Sequence, residues 1–292
     1  MLAAIYRGTI INADSQQIYR DLPILTAQPD AAGQQRLPHR LYGFADASER
    51  GSVARWRTLA LAEIEAAGAA GRLPIVVGGS GLYLRALTRG LAPVPDIPAE
   101  IRAEAAALHG ELGGAGFRDR LAALDPAAAR RLPAGDTARL LRAWEVARAT
   151  GRPLAEWQAR GGNAPLTGRV ATILLMPPRD SLYAACDARF AAMIAAGGLD
   201  EAAALAARRL DRDLPAMKAV GVPELLAYLA GRVSLPEAIA AAQRATRRYA
   251  KRQTTWFRHQ LTPDLLWSEQ YSERLAAASG SFVEGLLLTG LG

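Results

Sequence analysis

The segment Thr246–Arg258, which reads TRRYAKRQTTWFR, combines five basic and three aromatic residues and contains no acidic residue. Arginine pairs with phosphate through a bidentate fork, and aromatic rings stack on unpaired bases. At 3.6 residues per turn, Ala245, Tyr249 and Trp256 lie on one helix face. Another broad face carries Arg244, Arg248, Lys251, Arg252 and Thr255. The pattern predicts binding to single-stranded or looped RNA, and a solvated basic helix with core aromatics is an equally weighted alternative.

Asp14 and Ser15 follow the short apolar run Thr9–Ile11, at the place where open α/β sheets put their ligand sites. Asp14 is a candidate general base there, because a carboxylate can take a proton from a reacting group. The alternative is that Asp14 or Ser15 caps the first amides of a following helix. Spacing alone favours this capping role, and the two roles are compatible.

A glycine-rich turn, Gly78–Tyr83, follows a second apolar run, Pro74–Val77. Its glycines allow close backbone approach, and the start of a helix offers free N–H groups to an anion or a base edge. Such turns also occur in α/β proteins for packing reasons. A ligand role and a packing role are therefore equally weighted for this turn.

Three arginines outside the basic segment are candidate anion ligands. Arg139 and Arg142 stand three residues apart on the predicted helix Asp136–Arg148 and project from the same side. Arg189 lies on another predicted helix, in the run ARFAAMIAAGGLDE. The alternative for Arg139 and Arg142 is pairing with Asp136 or Glu145 at the surface, which is the commoner arrangement. The alternative for Arg189 is a cation on a helix face.

Asp14 and the glycine-rich turn each need a preceding strand that leads into a turn and positions them. The strand-like runs are Thr9–Ile11, Pro74–Val77, Val170–Met176 and Leu265–Trp267. A helical stretch, Val53–Ala70, separates the first two runs, and this alternation is typical of an α/β protein with a parallel sheet. Helical periodicity alone continues from Ala99 to about Gln158, which predicts a helical insertion that interrupts the sheet.

Composition narrows the classes of partner. The chain has 292 residues, 50% of them hydrophobic, a net charge of +7 and a pI near 10.0, so it can bury a core and favours acidic partners. One cysteine, Cys186, excludes an internal disulfide, and three scattered histidines give no metal-ligand spacing. The sequence starts without a secretory signal and contains no apolar run of about 20 residues. We therefore expect a cytoplasmic protein without a membrane partner.

Six blocks, taken in order, resemble the bacterial tRNA dimethylallyltransferases, which prenylate the adenosine beside the anticodon. The blocks are INADSQQIY, PIVVGGSGLY, DTARLLRAWEV with TGRPL, ARFAAMIAAGGLDEA, MKAVGVPEL and TRRYAKRQTTWFR. They span nearly the whole chain. The first and last are quite specific to that family, whereas GGSGLY alone is not.

The resemblance implies a fold and a reaction. The fold is an α/β P-loop NTPase-like parallel sheet in a core of residues 1–96 and 167–292, with a helical insertion domain, residues 97–166, that contacts tRNA. The reaction moves a dimethylallyl group from dimethylallyl diphosphate to the adenine N6 of an anticodon stem-loop, with Mg²⁺ as cofactor. A flipped-out base exposes that nitrogen. A monomer is expected.

The resemblance also assigns roles to residues. Asp14 matches the general base, Ser80 stands where the family usually has Thr, and Arg189 matches an arginine that meets the diphosphate. The positions that match tRNA-contacting segments are Asp14, Ser15, Gln16, Gln17, Ser80, Arg102, Ala138, Arg139, Leu140, Leu141, Arg142, Lys218, Ala219, Val220, Gly221, Val222, Pro223, Lys251, Arg252, Gln253, Thr254, Thr255, Trp256, Phe257 and Arg258.

Several positions depart from the family pattern. Leu25 and Gln28 replace Gly and Lys of GTAKP, and Arg40 replaces the second His of PHH. Val222-Pro223 replaces the Tyr-Lys or Tyr-Arg of GYK or GYR. We expect these changes to alter local tRNA contacts more than the chemistry.

The family also begins with a strand and a phosphate-binding loop such as GPTASGKS, and neither lysine here, Lys218 or Lys251, follows a glycine. The resemblance therefore predicts an N-terminally truncated chain that lacks the P-loop and the first strand. Without them the diphosphate loses a nest of amides, and neighbouring strands lose hydrogen bonds worth about 1–3 kcal/mol each. We expect low stability and little prenyl transfer from the chain as given.

Two competing functions follow from the same residues. A non-catalytic RNA-binding remnant would keep the basic segments without holding the donor. A small-molecule P-loop kinase shares the α/β pattern but leaves TRRYAKRQTTWFR unexplained, and steeply salt-dependent RNA binding would count against it.

Overall fold

The computed structural model describes residues 1–162 and 166–289. The chain divides into two compact units, Met1–Leu87 together with the residues from Gly168 onward, and Thr88–Thr167. The second unit therefore begins at Thr88 and not at residue 97, because the loop after residue 89 packs within it: a Cβ at Gly162 would lie 2.6 Å from the Leu91 carbonyl oxygen. Residues 163–165, beside the other predicted boundary, lie outside the described residues.

Within the residues that the structure describes, five short strands form two parallel sheets. They are β1 (Thr9–Asn12), β2 (His39–Arg40), β3 (Pro74–Val77), β4 (Ile173–Leu175) and β5 (Leu265–Trp267). The first sheet has the order β2-β1-β3, and the second pairs β4 with β5. Parallel pairing confirms the predicted α/β class. The strands before and after the insertion pair among themselves, however, so the single sheet expected from the sequence is divided in two over the described residues.

Thirteen α-helices connect and cover these strands in the described part of the chain. They are α1 (Leu2–Ile5), α2 (Ala31–Arg36), α3 (Val53–Ala69), α4 (Gly81–Arg89), α5 (Ala99–Ala122), α6 (Pro126–Arg131), α7 (Thr137–Thr150), α8 (Leu154–Ala159), α9 (Arg179–Met193), α10 (Leu199–Ala207), α11 (Val222–Leu229), α12 (Leu235–Gln260) and α13 (Glu273–Thr289). The bounds of α3, β3 and β5 agree with the sequence-based prediction to within one residue.

The first sheet is held by a buried tryptophan of α3. Trp56 is fully buried, and its Nε1 donates a hydrogen bond of 2.8 Å to the backbone oxygen of Asn12, the last residue of β1. Its ring stacks on Tyr83 of α4, with ring centroids 4.2 Å apart. Buried aromatic rings contribute large apolar areas to a core, and a buried Trp N–H usually finds a hydrogen-bond partner. This contact therefore fixes the end of β1 against two helices.

The second unit is a helical unit with a core of its own. Phe117, Leu121 and Leu140 are fully buried in a cluster contributed by α5, α6 and α7. Helix α5 is kinked at Gly113, where φ is +65°, and Gly151 ends α7 with φ of +67°. Gly tolerates positive φ without a steric penalty. The described helices of this unit confirm the predicted absence of strand structure between Ala99 and Gln158.

Helices α9 and α10 are joined into one run by a π-helical segment, Ile194–Gly198, in which Gly197 has φ of +101°. By length and composition alone, this run of 29 residues could cross a membrane. A single apolar helix of this kind is equally typical of a packed protein interior.

The loop before α2 is anchored to this helical run. Both carboxylate oxygens of Glu201 accept hydrogen bonds of 2.8 Å, from the backbone N–H groups of Ile24 and Leu25.

Helix α12 carries the basic and aromatic segment. It begins with a capping box, in which Ser234 and Glu237 exchange hydrogen bonds, and extends over 26 residues. Its exposed residues include Arg244, Arg248, Lys251, Arg252, Thr255 and Arg258. Thr246 and Ala250 are buried and Tyr249 is half-buried. The division into a basic outer face and an aromatic inner face is therefore confirmed.

Candidate active site and RNA-facing surface

Asp14 lies in an irregular loop directly after β1. The buried side chain of Asn12 holds this loop: its Nδ2 donates to the backbone oxygens of Asp14 and Leu41, at 2.9 and 3.0 Å, and its Oδ1 accepts from the N–H of Asp14 at 2.8 Å. No helix begins in the described chain between Asp14 and Asp30, which caps α2. The favoured capping role for Asp14 and Ser15 is therefore wrong.

The carboxylate of Asp14 is held by its own loop. Its Oδ1 accepts a hydrogen bond of 2.8 Å from the N–H of Gln16. Burial raises the pKa of Asp14 above the ordinary value of 3.8, while the Gln16 amide, the positive charge of Arg189 and the Gln17 amide act in the opposite direction. Removal from water disfavours the charged form. Asp14 is consequently a stronger base than an exposed aspartate.

A cavity of about 90 Å³ opens over Asp14. Its lining residues are Asp14, Gln16, Gln17, Leu25, Thr26, Cys186, Arg189, Phe190, Met193, Val220, Thr246 and Tyr249. Among these residues Asp14 is the one carboxylate and Arg189 the one cation. We call this space the Asp14 cavity. Its opposed charges suit a reaction in which a proton leaves one partner and negative charge develops on another.

Ser80 is close to Asp14 without lining the Asp14 cavity. Its Oγ accepts a hydrogen bond of 2.8 Å from the N–H of Ser15 and donates one of 3.0 Å to the Ser15 Oγ. Burial raises the pKa of the Tyr249 phenol, and hydrogen bonds with Ser80 and Gln16 partly offset that rise. Ser80 therefore ties the loop after β1 to the turn before α4.

The glycines around Ser80 serve packing. A Cβ at Gly78 would lie 2.2 Å from the Ala13 carbonyl carbon, and one at Gly81 would lie 2.3 Å from the Trp256 ring. A Cβ at Gly79 would meet the Gln253 side chain at 2.0 Å. The close approach expected from this turn is therefore an approach of protein to protein, which supports the packing alternative.

Tyr249 and Thr246 line the Asp14 cavity from the inner face of α12. Neither residue was assigned to the site from the sequence. The aromatic face of the helix indicated that Tyr249 points inward, but spacing did not indicate that a cavity lies there. Arg252 lies over the Tyr249 ring, 5.5 Å from its centroid. The outer, basic face of α12 thus begins directly beside the cavity.

The inner residues of the segment Lys251–Arg258 are used by the fold. Gln253 Nε2 donates a hydrogen bond of 3.0 Å to the Gly79 carbonyl oxygen. Trp256 packs on Gly81, and its ring meets the Phe257 ring edge-on, with centroids 5.7 Å apart. The suggestion that aromatic rings of this segment stack on bases therefore does not fit Trp256, whose indole is occupied by the glycine turn.

The turn Lys218–Pro223 lies between the Asp14 cavity and a second cavity. Val220 donates its N–H to Gln16 Oε1 at 3.0 Å, whereas the side chains of Ala219 and Val222 are buried. Gly221 has φ of +94°, and a Cβ there would lie 2.6 Å from the Phe190 ring. Lys218 and Pro223 are the exposed side chains of this turn.

The second cavity has a volume of about 160 Å³. It is lined by Lys218, Ala219, Val220, Pro223, Glu224, Ala245, Arg248 and Arg252. We call it the Glu224 cavity. Three cations and one carboxylate meet in it, so it offers both charge and hydrogen-bond acceptance to a ligand.

The predicted contacts of the second unit are placed on α5 and α7. Arg139 Nη1 lies 3.3 Å from Asp136 Oδ2, and Arg142 Nη1 lies 3.9 Å from Glu145 Oε2. Both arginines therefore form the surface ion pairs of the alternative interpretation. Ala138 and Arg102 are exposed. Leu140 is fully buried in the core of the unit and Leu141 packs against that core, so their side chains support α7 and are not available to bind RNA.

Comparison with known proteins adds independent findings. The family model described as IPP transferase matches residues 17–260. A tRNA dimethylallyltransferase of Rhodospirillum centenum is 61% identical over 261 residues, which are 89% of this chain and 83% of that relative.

Solved structures give the same match at the level of the fold. A full-length tRNA isopentenylpyrophosphate transferase from Bacillus halodurans superimposes with a TM-score of 0.68 at 33% identity, over 98% of this chain and 90% of that one. A eukaryotic dimethylallyltransferase acting on tRNA superimposes with a TM-score of 0.71 at 26% identity, over 88% of this chain and 65% of that one.

Proposed function

We propose roles for the residues of this chain, which belongs to the IPP transferase family and modifies tRNA by transferring a dimethylallyl group. The proposal is that the Asp14 cavity holds the reacting atoms and that the outer face of α12 holds the RNA. The observation that carries it is the presence of Asp14 and Arg189 in the lining of one cavity, which Tyr249 of α12 also lines.

Asp14 is proposed as the general base for the acceptor. The N6 amine of an adenosine attacks the allylic carbon of dimethylallyl diphosphate, the new N–C bond forms, and the C–O bond to the diphosphate breaks. The electron pair of that bond leaves with the diphosphate, and the amine proton passes to the Asp14 carboxylate. A base whose pKa is raised by burial accepts this proton more readily than an exposed aspartate.

Arg189 is proposed to bind the leaving diphosphate. Negative charge on the bridging oxygen grows as the C–O bond breaks, and a guanidinium held at that point stabilises the transition state more than the ground state. Arg189 also lowers the pKa of Asp14. It therefore favours the ionised form of the base before the donor binds.

Mg²⁺ remains part of the proposal. Among the described residues, no group of three or more His, Cys, Asp or Glu could hold a metal ion by itself. Mg²⁺ is commonly bound by one or two carboxylates together with substrate phosphates. The described residues of this chain therefore provide no complete metal site, and no step of the reaction above depends on the ion.

The acceptor is proposed to be an anticodon stem-loop, with the reacting adenosine on the 3′ side of the anticodon. Arg248, Lys251, Arg252 and Arg258 are exposed along one face of α12, which suits the backbone of an unpaired loop. We also propose that the protein is a monomer in the cytoplasm.

The experiment is transfer of a labelled dimethylallyl group to an anticodon stem-loop by the wild type and by Asp14→Asn. Loss of the base should lower kcat about 10²- to 10⁴-fold while RNA binding is kept. The substituted amide retains an Oδ1 acceptor for Gln16 and removes a charge that burial disfavours. The melting temperature of this variant should therefore equal or exceed that of the wild type.

Asp119→Asn, at an exposed position of α5, is the matched control and should transfer normally. Equal rates for Asp14→Asn and the wild type would contradict the proposed role of Asp14. RNA binding without transfer by the wild type would favour a non-catalytic remnant.

A further inference from the structure

The part of the Asp14 cavity wall that Leu25 and Thr26 form is held from outside the cavity. Glu201, in the first turn of α10, accepts hydrogen bonds of 2.8 Å from the N–H groups of Ile24 and Leu25, one on each carboxylate oxygen. Glu201 is not among the described residues that line the cavity. A carboxylate satisfies two such donors, whereas a carboxamide offers one acceptor oxygen and presents a donor of its own.

The side chain of Leu25 packs on an irregular part of the same helical run. The π-helical segment Ile194–Gly198 directly precedes α10. A Cβ at Gly198 would lie 2.9 Å from Leu25 Cδ2, so the glycine leaves the space that this side chain fills. Single π-helical turns within α-helices occur frequently at functional sites. Backbone and side chain of Leu25 are therefore both seated on the run that contains α10.

The loop that contains this wall has further anchors on either side of it. Arg208, directly after α10, pairs with the carboxylates of Asp21 and Asp46. Gln17 Nε2 donates a hydrogen bond of 2.8 Å to the carbonyl oxygen of Thr26. Loss of the carboxylate of α10 should therefore loosen the wall while the loop as a whole stays attached.

The wall bounds a small space. The Asp14 cavity has a volume of about 90 Å³. The apolar members of its lining are Leu25, Cys186, Phe190, Met193 and Val220. In a hydrophobic pocket, one extra methylene group of a substrate changes kcat/KM about 10- to 200-fold. The position of the wall is therefore able to decide how long an allylic group the cavity accepts.

We infer that Glu201 is a positioning residue for donor selectivity. It holds the wall of Leu25 and Thr26 at the place where the Asp14 cavity admits a dimethylallyl group and excludes longer allylic groups. The inference rests on the proposed function, because it requires the reaction to occur in that cavity. Glu201 acts through the wall and contacts neither the donor nor the RNA.

The test is the ratio of kcat/KM for dimethylallyl diphosphate to that for geranyl diphosphate, the next longer allylic donor, with an anticodon stem-loop as acceptor. The ratio does not depend on the fraction of folded enzyme, so a loss of stability alone leaves it unchanged. The wild type should favour the dimethylallyl donor by about 10²-fold or more. Glu201→Gln should lower this ratio roughly tenfold, because one backbone N–H then meets an amide donor and the wall moves.

Asp200→Asn is the matched control. Asp200 is exposed in the same first turn of α10, so its substitution removes the same charge and keeps the contacts of Glu201. Its ratio should equal that of the wild type. Leu25→Ala enlarges the cavity from its lining and should lower the ratio in the same direction. Amide hydrogen exchange should be faster at Ile24 and Leu25 in Glu201→Gln, which reports the loosened wall directly.

A wild-type ratio in Glu201→Gln would overturn this inference and would leave the role of Asp14 intact. A lowered ratio in Asp200→Asn would also overturn it, because the effect would then follow the charge of the helix end and not the contact. Absence of transfer by the wild type from either donor would overturn the proposed function, and this inference with it.

Discussion

Asp14 and Glu224 are the carboxylates of two neighbouring cavities, and they differ in the hydrogen bonds that they already make. Asp14 accepts a hydrogen bond from its own loop and shares its cavity with Arg189, whereas Glu224 Oε2 has no partner among the described residues. A carboxylate that the fold orients can transfer a proton at a fixed place. The Glu224 oxygen is buried, so Asp14 is the one of these two carboxylates that we propose to exchange a proton with the substrate.

The basic helix α12 links the two cavities. Its inner face supplies Tyr249 to the Asp14 cavity, and its outer face supplies Arg248 and Arg252 to the Glu224 cavity. The cavities should therefore respond differently to substitution. Changes in the Asp14 cavity should act mainly on kcat, and changes in the Glu224 cavity mainly on the affinity for RNA.

Arg189→Ala should have the largest effect of the substitutions that sharpen this comparison. Removal of the cation that we propose to meet the leaving group should lower kcat about 10²-fold and leave the affinity for RNA unchanged. The measurement is steady-state transfer to an anticodon stem-loop, together with the affinity for that RNA. Arg179→Ala, at an exposed position on the same helix, is the matched control. A change of RNA affinity without a change of kcat would contradict the separation of roles.

Tyr249→Phe should have a smaller effect. The substitution keeps the ring under Arg252 and removes a hydroxyl whose pKa Ser80 and Gln16 lower. Loss of a polar interaction of about 0.5–1.5 kcal/mol should lower kcat/KM roughly three- to tenfold. The rate of transfer measures it, with Tyr271→Phe at an exposed site as the control. A fall as large as that of Arg189→Ala would instead indicate that the phenol takes part in the reaction.

The local sequence pattern was sufficient to predict much of the fold. Helix α3 and strands β3 and β5 were predictable because their residues have the required periodicity and are bounded by turn residues. The two faces of α12 were predictable for the same reason. The family resemblance then identified Asp14 and Arg189, which the structure places at one cavity.

Contacts between distant residues were not predictable. Asp14 looks like a helix cap in sequence, but Asn12 bonds Leu41 and holds the loop in another conformation. Gly79 and Gly81 look like part of a ligand loop, but Gln253 and Trp256, more than 170 residues away, require them. Glu224 looks like an ordinary acid in the first turn of a helix, and only the buried surroundings of its Oε2 distinguish it.

The most direct test of the account is the pH dependence of kcat/KM in the wild type and in Arg189→Ala. The proposed reaction requires ionised Asp14, so the rate should rise with pH through a pKa above the ordinary value of 3.8. Because Arg189 favours the ionised form, its removal should raise that pKa further and move the acidic limb to higher pH. An acidic limb at the same pH in both proteins would contradict the central claim that Asp14 is a base under the influence of Arg189.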